Sequence, residues 1–461
     1  MAAIDIYNDL IFSKKHTKNN YGIPVKWIPD SMFDFQSYIT EYSIKKGRCA
    51  DFIDTGLGKT YIELVIAVNY ARHTNKPILI ICPLAVAFQF VREANKFYID
   101  DIEYSKNGKY TKKIVIANYE RLHYFNPSDF ECVICDESSI LKNFEGEIKR
   151  VVTSFLKKVK YRFLFTATPS PNDFIELGTS SEALGYLGYT DMLTKFFKNN
   201  EDTVSPMNIG TEWVLKGHAK NAFFEWVSGW SISMRQPSDL GFSNDRHILP
   251  ELITNFHKCD GGINVRADGQ MSMFTIPART QSEIRMEQKS TIERRCEMAV
   301  ELSRPHETSV YWCNLNPEGD LLQKLDKDAY QIKGSMDIDE KEELLTNFFE
   351  GNIKKLITKA KMTAFGLNWQ HCNHTVYFPD FSYEKYYQAI RRFWRFGQKR
   401  SVIVDVPYSE GQERVLQSLV AKGEKANELF SKLNANINKS YEIKDKEFNQ
   451  PFILPAFLKT A

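Results

Sequence analysis

The chain has 461 residues, 43% of them hydrophobic, with 60 basic against 58 acidic side chains and a formal net charge of +2. That length is too great for one ordinary core and predicts two large lobes. The near-neutral balance excludes a global basic field, so any nucleic-acid contact must be a local groove.

Residues 1–30 form an N-terminal segment, whose first part, Met1 to Lys15, lacks the basic-then-apolar order of a signal peptide. A first α/β lobe is expected over residues 31–177. In it Cys49 to Ile53 reads as a buried strand and Tyr61 to Ala67 as a helix. Between them lie Asp54, Thr55, Gly56, Leu57, Gly58, Lys59 and Thr60, the composition of a phosphate-cradling loop. The glycines let backbone N–H groups close on phosphate oxygens, Lys59 reaches terminal phosphates, and the Thr60 hydroxyl suits magnesium. The general P-loop has a glycine where this chain has Ile53. Further apolar runs at Ile78 to Cys82, Ile114 to Ala117, Cys132 to Cys135 and Phe163 to Phe165 complete the pattern of a parallel sheet covered by helices. The longest apolar run, Ile78 to Phe88, is broken by Pro83 and too short to span a bilayer, which points to a soluble, cytoplasmic protein without membrane contact.

Asp136 and Glu137 end an apolar strand. Such a pair is ordinarily solvated; downstream of a P-loop strand it is suited to order a magnesium water shell through Asp136 and to orient the attacking water through Glu137. Thr166 and Thr168 follow the next strand and offer hydroxyls to bond those acids. Cys132 and Cys135 have C-x-x-C spacing, but strand alternation puts them on opposite faces, and no second pair exists at zinc-ribbon spacing. All eight cysteines read as buried, reduced thiols.

Residues 178–255 read as a mainly helical insertion completing the first lobe, with Trp213, Trp226 and Trp230 expected in its core. A connector over 256–290 follows, marked by turn clusters at Asp260-Gly261-Gly262 and Ala267-Asp268-Gly269. Runs at Val310 to Cys313, Leu356 to Thr358, Thr375 to Phe378 and Val402 to Val406 predict a second α/β lobe over 291–435, before a C-terminal arm, 436–461. His371-Cys372-Asn373-His374 lies between a turn and a strand and reads as loop. Arg392 and Arg395, three apart on a helical pattern, can face one way and reach across a cleft as arginine fingers; Arg391, Lys399 and Arg400 read as a solvated basic face.

Taken in order, the P-loop, Asp136-Glu137, Thr166-Ala167-Thr168-Pro169 and Gln388 to Gln398 resemble the motors of helicase superfamily two, in their Swi/Snf-like form. Supporting segments are Ile78 to Pro83, Asn118 to Leu122, Leu141-Lys142-Asn143, Ser233-Met234-Arg235 to Leu249-Pro250, and Phe365 to Gln370. In the last, Lys359-Ala360 replaces the family's Ser-Thr pair; Arg391 replaces its usual glycine. The look is nearest to compact DEAD/DEAH-type helicases of phages and prophages.

The resemblance implies two tandem RecA-like P-loop lobes and the cofactors ATP and magnesium. Gln36 would read adenine with Phe33 or Phe35 stacking, and Asn368 and Gln388 would join the nucleotide site. Lys142, Asn143, Lys333 and Lys359 would grip phosphates of duplex or branched DNA. It further implies a helicase or translocase in phage DNA replication, recombination or repair, beside phage or host proteins of those processes. The alternatives are an RNA helicase and an ATP-switched, DNA-binding subunit of a restriction or recombination complex.

Overall fold

The apolar runs become strands buried on both faces, the habit of parallel strands with helices above and below. The computed structural model describes residues 21–83, 86–142, 145–199, 213–245, 247–259, 264–265, 271–272, 281–363 and 368–448. Its first lobe runs α1 (Asp34–Lys46), β1 (Arg48–Ile53), α2 (Lys59–Thr74), β2 (Ile78–Cys82), α3 (Ala87–Lys96), β3 (Ile102–Tyr104), β4 (Ile114–Asn118), β5 (Cys132–Cys135), α4 (Glu147–Lys157) and β6 (Tyr161–Thr166). It continues through α5 (Leu177–Leu184), α6 (Tyr189–Phe196), the antiparallel pair β7 (Phe197–Asn199) and β8 (Trp213–Leu215), α7 (Lys220–Ser228) and β9 (Ser231–Met234).

Seven strands pair in the order β3-β4-β2-β5-β6-β1-β9, every pairing parallel. Since β5, β6 and β1 are neighbours, their carboxyl ends carry Asp136, Thr166 and Asp54 to one edge, where ligands of open α/β sheets bind. One face packs Ile39, Ile62, Ile66 and Phe90 of α1 to α3; the other packs α4 to α7. Cys132 belongs to the first cluster and Cys135 to the second, so the sheet separates the C-x-x-C pair. All eight cysteines are buried and free. Trp230, 1% exposed, is core, while Trp213 and Trp226 pack at its margin.

The second sheet has the order β10-β17-β16-β13-β15-β14, again all parallel. Its strands are β10 (Leu252–Cys259), β13 (Ser309–Trp312), β14 (Ala329–Gln331), β15 (Lys355–Thr358), β16 (His374–Tyr377) and β17 (Val402–Ser409), and a two-stranded ribbon of β11 (Asn264–Val265) and β12 (Met271–Ser272) lies within the connector. Around them lie α8 (Gln281–Ser290), α9 (Ile292–Ser303), α10 (Asn316–Leu325), α11 (Ile338–Glu350), α12 (Ala360–Thr363) and α13 (Tyr383–Ile390). The second lobe therefore begins at β10, inside the residues expected as insertion and connector. Leu-Ile-Thr-Asn-Phe-His-Lys-Cys is an edge strand that is mostly half-buried, and it offers no apolar run to find. Both turn clusters of the connector lie outside the described residues. His374 opens β16 instead of lying in a loop.

The last helix, α14 (Glu413–Phe448), corrects the other boundary. Its residues Leu429, Phe430 and Leu433, at most 3% exposed, enter the first lobe's core beside Phe223 and Trp230. Burial of three such side chains contributes roughly 1.5–3 kcal/mol each. Lys425 pairs with Asp173 at 2.9 Å and Ser233 Oγ donates to Asn434 Oδ1 at 2.6 Å. The helix thus starts on the second lobe, where Leu416 joins the core and Lys422 Nζ donates to the Phe381 carbonyl at 2.7 Å, and from Lys425 onward packs on the first. No helix among the described residues is long and apolar enough to cross a membrane.

Candidate functional site

The loop after β1 turns on Gly56 and Gly58, both at φ 84°. That left-handed backbone favours glycine, and a Cβ on Gly58 would stand 2.2 Å from Gln36 Nε2. Helix α2 begins at Lys59, so Lys59 and Thr60 lie in its first turn, where unpaired N–H groups and the helix dipole favour an anion. Lys59 Nζ donates to the Ile53 carbonyl at 3.2 Å. Gln36 supports the loop from beneath: Nε2 donates to the Leu57 carbonyl at 2.9 Å, and Oε1 accepts from Phe33 N at 3.1 Å. Each end of the amide makes one bond within the protein, so Gln36 braces the loop and keeps a second N–H and a second lone pair. Phe33 stacks on Phe35 at 5.7 Å and meets His247 edge-on at 5.0 Å.

Asp136 and Glu137 follow β5. Asp136 N donates to the Ile81 carbonyl at 2.8 Å, and the Tyr119 hydroxyl donates to the Asp136 carbonyl at 2.6 Å. Glu137 has φ 48°, an uncommon conformation for a side-chain-bearing residue and one that clusters at functional sites. A third acid joins them. Glu63, one helical turn after Lys59, is fully buried, and neither of its carboxylate oxygens has a hydrogen-bond partner. Burial, then the Asp136 charge, pushes its carboxyl well up, with Lys59 opposing. The Asp136 carboxyl is pushed up to about 7 by burial and by Glu137, again against Lys59. Sequence reasoning missed Glu63; its i, i+4 spacing from Lys59 was the available signal. The two threonines do not bond these acids. Thr166 Oγ1 accepts from Thr168 N at 3.0 Å, and Thr168 Oγ1 is buried without a partner.

The opposing wall comes from the second lobe. Helix α13 ends at Ile390, so Arg391 to Arg395 lie on the turns that follow it and not on a helix. Gln388, fully buried, links the lobes: Nε2 donates to Glu137 Oε2 at 3.3 Å while Oε1 accepts from Arg392 Nη2 at 3.1 Å. Gln388, expected at the nucleotide site, thus contacts the Glu137 carboxylate. Arg395 lies over the P-loop, its Cβ 3.5 Å from the position a Cβ on Gly56 would take, with Nε buried and unpartnered. Burial and then the neighbouring cation lower both fingers, Arg392 to about 9 and Arg395 to about 10, so an anion between them is favoured. Arg391, expected in solvent, is 2% exposed and pairs with Asp54 across the cleft.

The lysines expected on phosphates do not converge. Lys142 pairs with Glu384 across the cleft. Lys333 pairs with Asp320 at 2.8 Å, and Lys359 Nζ donates to Asn316 Oδ1 at 2.6 Å, both on the second lobe. Asn143 and Phe365 to Leu367 lie outside the described residues. Asn368 is brought to the cleft edge, since Trp369 N donates to the Arg392 carbonyl at 3.0 Å; Asn368 Oδ1 is buried without a partner.

These groups fit a magnesium nucleotide. Left-handed glycines shape the cradle, Lys59, Arg392 and Arg395 supply cations, and buried acids without enough cation supply the metal side. Thr60 and Asp136 would hold the magnesium.

Residues 49–180 match the SNF2-related domain and residues 294–397 the helicase conserved C-terminal domain. Over 180 residues the chain is 27% identical to the DNA annealing helicase and endonuclease ZRANB3 of Bos taurus, covering 34% of this chain and 17% of that protein. Over 165 residues it is 25% identical to the SWI/SNF-related matrix-associated actin-dependent regulator of chromatin subfamily A-like protein 1 of Xenopus laevis, covering 33% and 17%. The chain thus spans about a sixth of the length of these relatives. The Sulfolobus solfataricus SWI2/SNF2 ATPase core in complex with dsDNA is 16% identical, with TM-score 0.42, covering 89% of this chain and 98% of that one.

Proposed function

With an SNF2-related domain in its first lobe and a helicase C-terminal domain in its second, the chain is a Swi/Snf-like member of helicase superfamily two, and we propose that it couples ATP hydrolysis to movement along double-stranded or branched DNA. The observation that carries the hydrolytic half is the chain of contacts Glu137, Gln388, Arg392, which joins the water-orienting acid of one lobe to a finger of the other. Glu137 orients and deprotonates the attacking water. Lys59 holds the terminal phosphates in the P-loop, and Arg392 and Arg395 neutralise charge that grows on the transferred group. Magnesium, when bound, neutralises the phosphate oxygens and orders their water shell. Alternate closing and opening of the lobes moves the grip along the backbone.

The DNA half is supported by the relatives, a DNA annealing helicase among them, and by the resemblance; action in phage replication, recombination or repair in a bacterial cytoplasm is part of the same proposal. Steady-state ATP hydrolysis with no polymer, single-stranded DNA, duplex DNA, branched DNA and RNA, at matched low salt, tests it. Stimulation by duplex or branched DNA is expected; stimulation by RNA alone would replace the reading with an RNA helicase.

A further inference from the structure

We propose that Arg391 and Asp54 form a clasp between the arginine-bearing turn and the rim of the P-loop, and that Arg391 is a positioning residue for ATP hydrolysis. The inference rests on the ATPase reading and adds residues that reading does not use.

The Arg391 guanidinium is committed almost wholly to the first lobe. Nη2 bonds the Asp54 carboxylate and donates to the Thr55 carbonyl at 3.2 Å, and Nε donates to Thr55 Oγ1 at 2.8 Å. Only Nη1 turns back, to the Trp394 carbonyl at 3.1 Å. One turn earlier on α13, the Tyr387 hydroxyl donates to the other Asp54 oxygen at 2.6 Å, so the second lobe holds both oxygens. The Tyr387 and Trp394 rings flank the guanidinium at 5.7 and 4.8 Å. Despite burial, the Asp54 charge holds Arg391 above its usual value.

The position of the clasp gives it a consequence for catalysis. Asp54 and Thr55 are the two residues entering the Gly56 turn, and Arg391 precedes Arg392 by one residue and Arg395 by four. Fixing this one guanidinium sets the height of the turn that carries both fingers, and the same bonds hold the rim of the phosphate cradle. A planar fork fixes direction as well as charge; an ammonium supplies charge alone. Opening the cleft breaks all of these bonds together, so lobe closure and ordering of the P-loop rim become one event.

The test compares Arg391→Gly, Arg391→Lys, Asp54→Asn and the double variant Arg391→Gly with Asp54→Asn. Two readouts are taken: kcat and KM for ATP, and inter-lobe distance by energy transfer between dyes at Lys45→Cys and Lys354→Cys in nucleotide-free protein. Arg391→Gly should lower kcat about 10- to 100-fold with KM within about threefold, since the lost interaction positions the fingers more than it binds substrate. Arg391→Lys should recover part of that loss, the double variant should be no worse than the worse single variant, and energy transfer should fall in each single variant. Unchanged kcat, losses that multiply in the double variant, or unaltered energy transfer would overturn the clasp. If the unaltered protein hydrolyses no ATP with any polymer, the ATPase reading fails, and the nucleotide-free distances still judge the clasp.

Discussion

Glu318 in the second lobe is wholly buried and sits 2.8 Å from an equally buried Arg295. Asp405, on β17 of the same lobe, accepts from Asn255 Nδ2, His257 Nε2 and His374 Nε2, each at 2.9 Å. The first lobe buries Asp51, Glu63 and Asp136 as deeply, yet Asp51 has no cation beside it, only the neutral Ser43 and Cys49 side chains among the described residues, and the other two share Lys59. Burying a charge is costly unless it is paired. A region that only has to fold neutralises its ions in place, as the second lobe's interior does away from the cleft. A scaffold that must receive a cation and a polyphosphate keeps acids and an ammonium that do not cancel, as the first does.

The largest expected effect breaks that comparison at its centre. Lys59→Ala, and separately Glu137→Gln, should lower phosphate release by about a thousandfold or more, because positioning and charge neutralisation supply most of phosphoryl-transfer catalysis. Normal turnover by either variant would mean the uncancelled acids are not the site. In the second lobe the outcome is structural: Glu318→Ala strands Arg295 and should destabilise that lobe by about 3–5 kcal/mol. Urea denaturation should show most of the loss regained when Arg295→Met is combined with Glu318→Leu.

The pH dependence sharpens the contrast further. Burial pushes the Asp51 carboxyl up from the ordinary range to about 7, only partly offset by the Ser43 hydrogen bond. Between roughly pH 4 and 7 the folded state then holds a proton that the unfolded state has released, so this contribution to stability falls as pH rises. Asp51→Asn should flatten that slope and stabilise the protein above neutrality by on the order of a few kcal/mol. Asp405 acts with the opposite sign. Although burial opposes it, hydrogen bonds from His374, His257 and Asn255 hold its carboxyl well below the ordinary range. Its contribution is present above the usual carboxylate pKa and is lost as pH falls further. Thermal melts of Asp51→Asn and Asp405→Asn across pH check both signs. The smallest effect belongs to the surface: removing the exposed Lys333–Asp320 pair through Lys333→Ala should change stability by less than about 1 kcal/mol. If Lys333 contacts a DNA phosphate, the log–log salt slope of DNA affinity should shrink by about one.

Much of this architecture was legible because parallel strands buried on both faces must be continuous apolar runs; Ile78 to Cys82 and Cys132 to Cys135 could be read directly. Edge strands were not. β10 and β14 are short of apolar residues because solvent or a polar network covers them. Within the site, the P-loop, the Asp136-Glu137 pair and the two fingers announce themselves by local spacing. Arg391 does not, since the partner that buries it lies 337 positions away. Gln36 lies beside the P-loop as expected, but a sequence cannot show which backbone groups its amide bonds. The partners of the lysines are hidden for the same reason: Lys142 meets Glu384 of the other lobe.

Helix α14 changes what motion between the lobes can be. The backbone crosses from the first lobe to the second between β9 and β10, and α14 carries it back, seating Leu429, Phe430 and Leu433 in the first lobe's interior. Two tethers join two bodies, so the lobes cannot separate into independent domains, and their effective concentration stays high whatever the nucleotide does. The remaining freedom is rotation about the line between the tethers, which is a hinge. Truncation after Ser409 would remove one tether and leave a cavity in the first lobe. Energy-transfer distances between the lobes should then broaden into a distribution, in place of the few discrete values a hinge allows.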